Sequence, residues 1–166
     1  DIDLSEMAGK ATKFHYIGAG LAASSTVTNY PTFKTGGTNT NLETLIVDGT
    51  STSVNISDAT DLTSLTFTGA ANTVTLNDLD SMTDITLGYV SKIGSYSSGS
   101  LTVTDNDELE TITADSLDDI SGLTITGNTN LNTLSFAALN SIGTSATGTA
   151  ITATSLAINN NDLWAG

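Results

Sequence analysis

Acidic side chains are the residues whose types and spacing could support catalysis, because they occur in close groups. These groups are Asp58 with Asp61, Asp78 with Asp80, Asp105 with Asp107 and Glu108, and Asp118 with Asp119. Paired carboxylates in a cleft can act as general acid and general base, as in enzymes that cleave polysaccharides. Such sites usually also need a basic group to stabilise charge, and Lys92 is the only lysine or arginine after Lys34. We therefore predict that the protein is not an enzyme.

Nucleophilic catalysis has still less support. His15 is the only imidazole, and no serine lies in the G-x-S-x-G pattern of a nucleophile elbow. Gly18-Ala19-Gly20 lacks the further glycine and the lysine of a phosphate-binding loop, so a hinge explains it better. The sequence predicts no catalytic residue and no residue that binds an organic cofactor.

The positions of three aspartates within the repeated blocks suggest a metal site instead. Asp58, Asp78 and Asp105 each lie four residues after an apolar residue that opens a repeated block. Stacked blocks would place them in one column, about 4.7–4.9 Å apart, where like charges repel by on the order of 1 kcal/mol per pair even in water. A calcium ion would relieve this repulsion, with Asp107 close by. Two alternatives stay open: a calcium site of Asp58, Asp78, Asp105 and Asp107, or a solvated row of acidic turns.

Threonines at alternate positions suggest an ice-binding face. Thr102 and Thr104 occupy the same positions of one block as Thr124 and Thr126 of the next. Flat Thr-x-Thr arrays on stacked strands are typical of such faces. Asparagine, serine and alanine replace several threonines in the other blocks, and the strand propensity of threonine also explains two regular blocks. Ice binding is therefore an alternative prediction.

A repeated spacing of apolar residues defines all of these positions. Blocks open at Val54, Val74, Leu101 and Leu123, and further apolar residues follow two, eight and eleven residues later. The strands predicted within each block alternate apolar residues with threonine or serine, which is typical of half-buried strands. A period of 20 to 27 residues predicts an all-β, parallel β-solenoid, because one such unit cannot bury its apolar edge without a neighbour.

The first 40 residues differ in composition and are predicted to form a cap. Three of the four lysines, the only proline and the only histidine lie before residue 35. Asp3 and Glu6 have the spacing of a capping box, and apolar residues recur at helical spacing after them. We predict a short helix over about 4–14 that covers the open end of the solenoid. The solenoid itself is predicted over 41–166, with a first coil that lacks a clear opening strand.

The later blocks resemble a known family. The segments 101–112 (LTVTDNDELETI) and 123–136 (LTITGNTNLNTLSF) look like the receptor L domain and the related repeats of fungal cell-wall and bacterial surface proteins. The resemblance covers about residues 54–163. It implies a right-handed β-helix of leucine-rich-repeat character and an extracellular, recognition or wall-associated role.

The family's turn asparagine is matched in part. The resemblance implies an asparagine in the turn after the first strand, and Asn106, Asn128 and Asn161 match that position. The chain departs from the family at Ala59 and Leu79, which replace asparagine, and in having no cysteine. The ligand-binding residues of receptors therefore cannot be transferred to this chain.

Charge and composition narrow the partners and the location. The chain of 166 residues has 18 acidic residues, four lysines and no arginine, for a formal net charge of -14. Nucleic acids and anionic membrane surfaces both require basic patches, so neither is a predicted partner. No apolar run approaches the roughly 20 residues of a membrane span. The cysteine-free, Thr/Asn/Asp/Gly-rich composition predicts an extracellular or cell-surface protein of a microbe.

The last block is incomplete, which predicts an interface. Leu156 and Ile158 open a further coil, and Leu163 and Trp164 follow. Strands at such an edge can pair with another chain, and Trp164 could anchor the contact. We predict pairing through these four residues, with the chain itself or with other surface proteins, in a solenoid that is truncated or continues at its C-terminus.

The sequence thus predicts a non-enzymatic extracellular surface protein with a structural, adhesive or self-assembling role, as a fibre or a layer. Ice binding is the first alternative. The second is a carbohydrate-binding or polysaccharide-active β-helix module, for which glycans would be the partners.

Overall fold

All regular structure in the described residues is β-strand. A computed structural model describes residues 2–3, 13–17, 32–34, 42–48, 51–67, 71–87, 92–93, 100–139, 141–142 and 156–159. The strands pair in parallel and stack coil upon coil in two sheets. The predicted all-β parallel solenoid is therefore confirmed.

The strands are short, as expected where polar turns interrupt the chain every few residues. In chain order they are β1 (Ile2–Asp3), β2 (Lys13–Ile17), β3 (Thr32–Lys34), β4 (Thr44–Asp48), β5 (Ser51–Ser57), β6 (Ser64–Phe67), β7 (Ala71–Asn77), β8 (Asp84–Thr86), β9 (Lys92–Ile93), β10 (Leu101–Thr104), β11 (Thr111–Thr113), β12 (Asp119–Ile120), β13 (Leu123–Thr126), β14 (Thr133–Ser135), β15 (Ser141–Ile142) and β16 (Leu156–Asn159).

Each sheet collects equivalent strands from successive coils. The first sheet follows the order β1-β3-β5-β7-β10-β13-β16, and the short strands β9, β12 and β15 extend it. The second sheet follows the order β14-β11-β8-β6-β4-β2. The chain therefore crosses from one sheet to the other within each coil, as a solenoid requires.

The predicted apolar columns are the columns of the fold. Val54 pairs with Val74, Val74 with Leu101, and Leu101 with Leu123. In the second sheet Ile85 pairs with Ile112. These residues are at most 2% exposed and form the core between the sheets. Full burial of each such side chain contributes about 1.5–3 kcal/mol to folding, which explains why the register follows the apolar spacing.

The N-terminal segment contributes strands at positions where the sequence predicts a helix. Lys13 and Phe14, the predicted end of that helix, lie in β2, and β2 pairs in parallel with β4. Phe14 and Tyr16 align with Leu45 and Val47 of the core columns. Aromatic residues at alternate positions favour a strand, so the helical spacing was misleading here. The rest of the predicted helix, residues 4–12, lies outside the described residues.

The first coil also has an opening strand that the sequence analysis missed. β3 pairs with β5, and Phe33 aligns with Val54. Pairing in both sheets therefore extends into the first 40 residues, through β1, β2 and β3. A boundary near residue 40, a capping helix and right-handed winding stay predictions.

Candidate functional site

The turns after β5, β7, β10 and β13 each contain one residue in the left-handed region. The φ angles are 52° at Asp58, 52° at Asp78, 55° at Asp105 and 73° at Gly127. Glycine adopts this region freely, and aspartate tolerates it better than most residues. The backbone alone therefore gives a structural reason for aspartate at these positions.

The turns stack as the sequence predicts. The amides of Asp58, Asp78 and Asp105 donate to carbonyl oxygens of the next coil, on Asn77 (3.2 Å), Thr104 (3.4 Å) and Thr126 (3.1 Å). A Cβ atom added at Gly127 would overlap the carboxylate of Asp105 and lie 3.2 Å from its Cγ. The side chain of Asp105 thus occupies the space that a side chain in the next turn would need.

The middle carboxylate of the column, Asp78, has a perturbed pKa. Partial burial raises the pKa above its ordinary value of 3.8, and the negative charges of Asp58, Asp105 and Asp80 raise it further. A hydrogen bond from the Asn77 side chain opposes these effects. The native state therefore binds a proton at Asp78 more readily than the unfolded chain does.

Replacing Asp78 with asparagine is expected to stabilise the protein at neutral pH. A raised pKa in the folded state means that stability is lost as pH rises from about 3.8 through the folded-state pKa. Asparagine removes the charge and tolerates the left-handed region. We expect the unfolding midpoint to rise by about 1–3 °C at pH 7 and the gain to vanish near pH 3. Thermal unfolding between pH 3 and 8 measures both.

Asp61→Asn is the matched control for charge, because Asp61 is an exposed turn residue outside the column. Equal effects of Asp61→Asn and Asp78→Asn at pH 7 would contradict this account of the column. So would an effect of Asp78→Asn that does not change with pH.

The pKa of Asp115 is shifted in the opposite direction to that of Asp78. The hydroxyl of Ser135 and the backbone amide of Ala137 (3.2 Å) both donate to its Oδ1 atom and lower its pKa. These bonds join one coil to the next, so they favour the stacked state while Asp115 is ionised. Their contribution is present above the ordinary pKa of aspartate and is lost as pH falls through the folded-state pKa.

The predicted calcium ligands lie along the turn row but do not form a cluster of ligands. In the part of the chain that the structure describes, no three Asp, Glu or His side chains form a group that could hold a metal ion. Asp107 is exposed, and its Oδ1 atom accepts a bond from Thr129 in the next coil (3.4 Å). A calcium site of Asp58, Asp78, Asp105 and Asp107 stays a prediction.

Two buried asparagines beside the turn row join three coils. Asn106 and Asn128 are both 0% exposed. The Oδ1 atom of Asn106 accepts from the amide of Leu79 (3.0 Å), and its Nδ2 atom donates to the carbonyl of Leu76 (3.3 Å). The same Nδ2 atom donates to Oδ1 of Asn128 (2.8 Å). Asn106 therefore binds one coil on each side of its own.

Asn128 repeats this arrangement one coil further on. Its Oδ1 atom also accepts from the amide of Asn106 (3.1 Å), and its Nδ2 atom donates to the carbonyls of Val103 (3.0 Å) and Thr126 (3.2 Å). Together the two residues form an asparagine ladder, Asn106 and Asn128. Both lie in the turn where the family resemblance implies asparagine, and Asn161 lies outside the described residues.

The turn positions of the asparagine ladder follow from the sequence, but its burial was not predicted. A signal was available, because the equivalent positions of the two preceding coils are Ala59 and Leu79. Both are apolar and fully buried, so this position points inward in the four successive coils that contain β5, β7, β10 and β13. A polar side chain at an inward position must find hydrogen-bond partners there.

The outward positions of four strands of the first sheet form a surface without charged side chains, here called the neutral face. It consists of Ser53, Asn55, Ser57, Thr73, Thr75, Asn77, Thr102, Thr104, Thr124 and Thr126. Asn55 is exposed and the others are half-buried. The predicted ice-binding threonines belong to this face, where Thr102 pairs with Thr124 and Thr104 with Thr126.

The second sheet presents a different outward surface. Thr111 pairs with Asp84 on one side and with Thr133 on the other. Asp84 is exposed and accepts a hydrogen bond from the hydroxyl of Thr83 (2.9 Å). The two faces are therefore alike in threonine but differ in charge, which makes the second sheet a natural control for the neutral face.

The remaining predicted site residues are placed in part. Leu156 and Ile158 lie in β16 and pair with Leu123 and Ile125. Leu163 and Trp164 lie outside the described residues, so the predicted interface stays a prediction. The backbone of His15 aligns with that of Ile46 in the second sheet.

Comparisons with known proteins give no relative. No protein-family model, curated protein or solved structure matches the chain. The resemblance to the receptor L domain therefore stays a hypothesis. Within the described ranges, no helix is long and apolar enough to cross a membrane.

Proposed function

We propose that the protein is a non-enzymatic surface module of a microbe, with a structural or adhesive role outside the cell. The observation that carries this proposal is the division of its outward surface. Neutral Ser, Thr and Asn side chains occupy the outward positions of four in-register strands. The carboxylates of Asp58, Asp78 and Asp105 lie instead in the turns after three of these strands. A neutral face on a regular, stacked scaffold is suited to contact with another extended surface.

The energetics of the fold support a structural role. Stacked coils contact only their neighbours, so stability accumulates along the solenoid as a sum of unit and interface terms. The asparagine ladder adds hydrogen bonds between coils at an inward position. Such a scaffold holds its surface in one geometry, which an adhesive or spacer protein requires.

The resemblance to the receptor L domain and the cysteine-free, acidic composition support an extracellular location. Immunogold labelling of intact cells of the source organism tests this location. We expect labelling of the outer surface without permeabilisation. Labelling that appears only after the cells are opened would contradict the proposal.

Self-assembly through strand edges belongs to the same proposal. β16 pairs with β13 through Leu156 and Ile158, and the predicted contact involves these residues with Leu163 and Trp164. Sedimentation velocity and negative-stain microscopy over a range of concentrations test this point. Filaments or layers that appear with concentration support assembly, and a monodisperse monomer at all concentrations rejects it while leaving the adhesive role intact.

A further inference from the structure

We propose that the neutral face binds ice. This inference deepens the proposed adhesive role by naming the contact surface and its ligand. It depends on the proposed function only in assuming that an outward face of the scaffold makes the contact.

Charge is the first argument. The chain has a formal net charge of -14, yet the neutral face has no ionisable group over the described parts of β5, β7, β10 and β13. The carboxylates of the column lie just beyond the ends of β5, β7 and β10, at Asp58, Asp78 and Asp105. A charged group orders water around itself, in a geometry that differs from a tetrahedral lattice. A face that binds ice therefore benefits from neutral hydroxyl, amide and methyl groups.

Spacing is the second argument. Neighbouring strands lie about 4.8 Å apart, so Thr75, Thr102 and Thr124 form a row at that spacing. Tetrahedral water with O···O distances of about 2.75 Å places second-neighbour oxygens about 4.5 Å apart. The two spacings differ by about 0.3 Å, which side-chain rotation can absorb over a few strands.

Fixed hydroxyl orientation is the third argument. The hydroxyl of Thr104 donates to the Oδ1 atom of Asn77 in the preceding coil (2.6 Å). Its proton is therefore used within the protein, and its lone pairs remain as acceptors for water. Asn77 is in turn bound to Asp78 through its Nδ2 atom. Asn77 stands where the next coil has a threonine, so it interrupts the threonine row. Its hydrogen bonds also fix the orientation of the side chains around it.

Thermal hysteresis and ice-affinity partitioning of the folded protein test the proposal. The test variant is Thr75→Lys with Thr102→Lys, which places two charges on paired strands of the neutral face. The matched control is Thr111→Lys with Thr133→Lys, which places the same charges on paired strands of the second sheet. Circular dichroism and thermal unfolding confirm that all proteins are folded.

We expect measurable hysteresis and enrichment in ice for the wild type, an at least tenfold loss for the neutral-face variant, and a change of less than twofold for the control. No hysteresis from the folded wild type overturns the proposal, as does an equal loss in both variants. Binding to an insoluble neutral polysaccharide without hysteresis also overturns it, in favour of a glycan ligand. Surface labelling of cells is independent of all these readouts, so ice binding can fail while the extracellular role stands.

Discussion

Replacing Asn106 with leucine is expected to lower the free energy of unfolding by about 2–4 kcal/mol. Leucine has a similar volume and is the residue at the equivalent position of the preceding coil, Leu79, so packing changes little. The substitution removes the acceptor of the Leu79 amide and a donor to the carbonyl of Leu76. Each buried polar group left without a partner costs about 1–3 kcal/mol.

Denaturant unfolding measures this loss, and native-state hydrogen exchange locates it. The Leu79 amide should lose its protection selectively, because its acceptor is the Oδ1 atom of Asn106. Asn130→Ala is the matched control, since Asn130 is an exposed asparagine in the turn beside Asn128. We expect the control to stay within about 0.5 kcal/mol of the wild type. An equally small effect of Asn106→Leu would mean that the ladder contributes nothing to stacking.

Replacing Gly127 with alanine is the second large effect, with an expected loss of roughly 1–2.5 kcal/mol. Two causes contribute. The φ angle of 73° lies in the left-handed region, where an alanine costs roughly 1–2 kcal/mol. The new Cβ atom would also overlap the carboxylate of Asp105 and displace it.

A double-mutant cycle with Asp105→Gly separates these two causes. Without the carboxylate of Asp105, Gly127→Ala should cost only the roughly 1–2 kcal/mol of backbone strain. Denaturant unfolding of the four proteins gives the coupling energy directly. Strictly additive effects would contradict the predicted steric contribution of the Asp105 carboxylate, because groups that do not interfere with each other do not couple.

The apolar columns could be predicted from the sequence because burial enforces them. A shift of one residue would turn Val74 and Leu101 outward and expose them to water. The apolar spacing is therefore compatible with only one register of the strands. The acidic column followed from the same register, and its left-handed turns are the structural reason for its aspartates. Spacing gave no information on φ angles, so the aspartates were interpreted only as a calcium site or as a solvated row of acidic turns.

The N-terminal strands show where spacing is ambiguous. Over residues 4–14 apolar residues recur at helical intervals, yet Lys13 and Phe14 lie in β2, which pairs with β4 and aligns Phe14 with Leu45 and Tyr16 with Val47. β3 was missed because three residues are too few to produce a pattern. Tertiary pairing decides such short segments, and local spacing cannot report it.

The asparagine ladder was partly predictable. The family resemblance placed Asn106 and Asn128 in a turn, but surface turns are also rich in asparagine. The burial of Ala59 and Leu79 at the equivalent positions would have identified the position as inward. The neutral face could be seen in part as paired threonines, but the lack of charge across four strands emerges only when the strands are aligned.

The central claim is the parallel, in-register stacking on which the core, the asparagine ladder and the neutral face all depend. Solution NMR of the 17.0 kDa chain tests it most directly, through contacts between amide and α protons on neighbouring strands. We predict parallel contacts that align Thr75 with Thr102 and Thr102 with Thr124. Close α–α contacts of antiparallel pairs, or a shift of one residue in either alignment, would contradict the account.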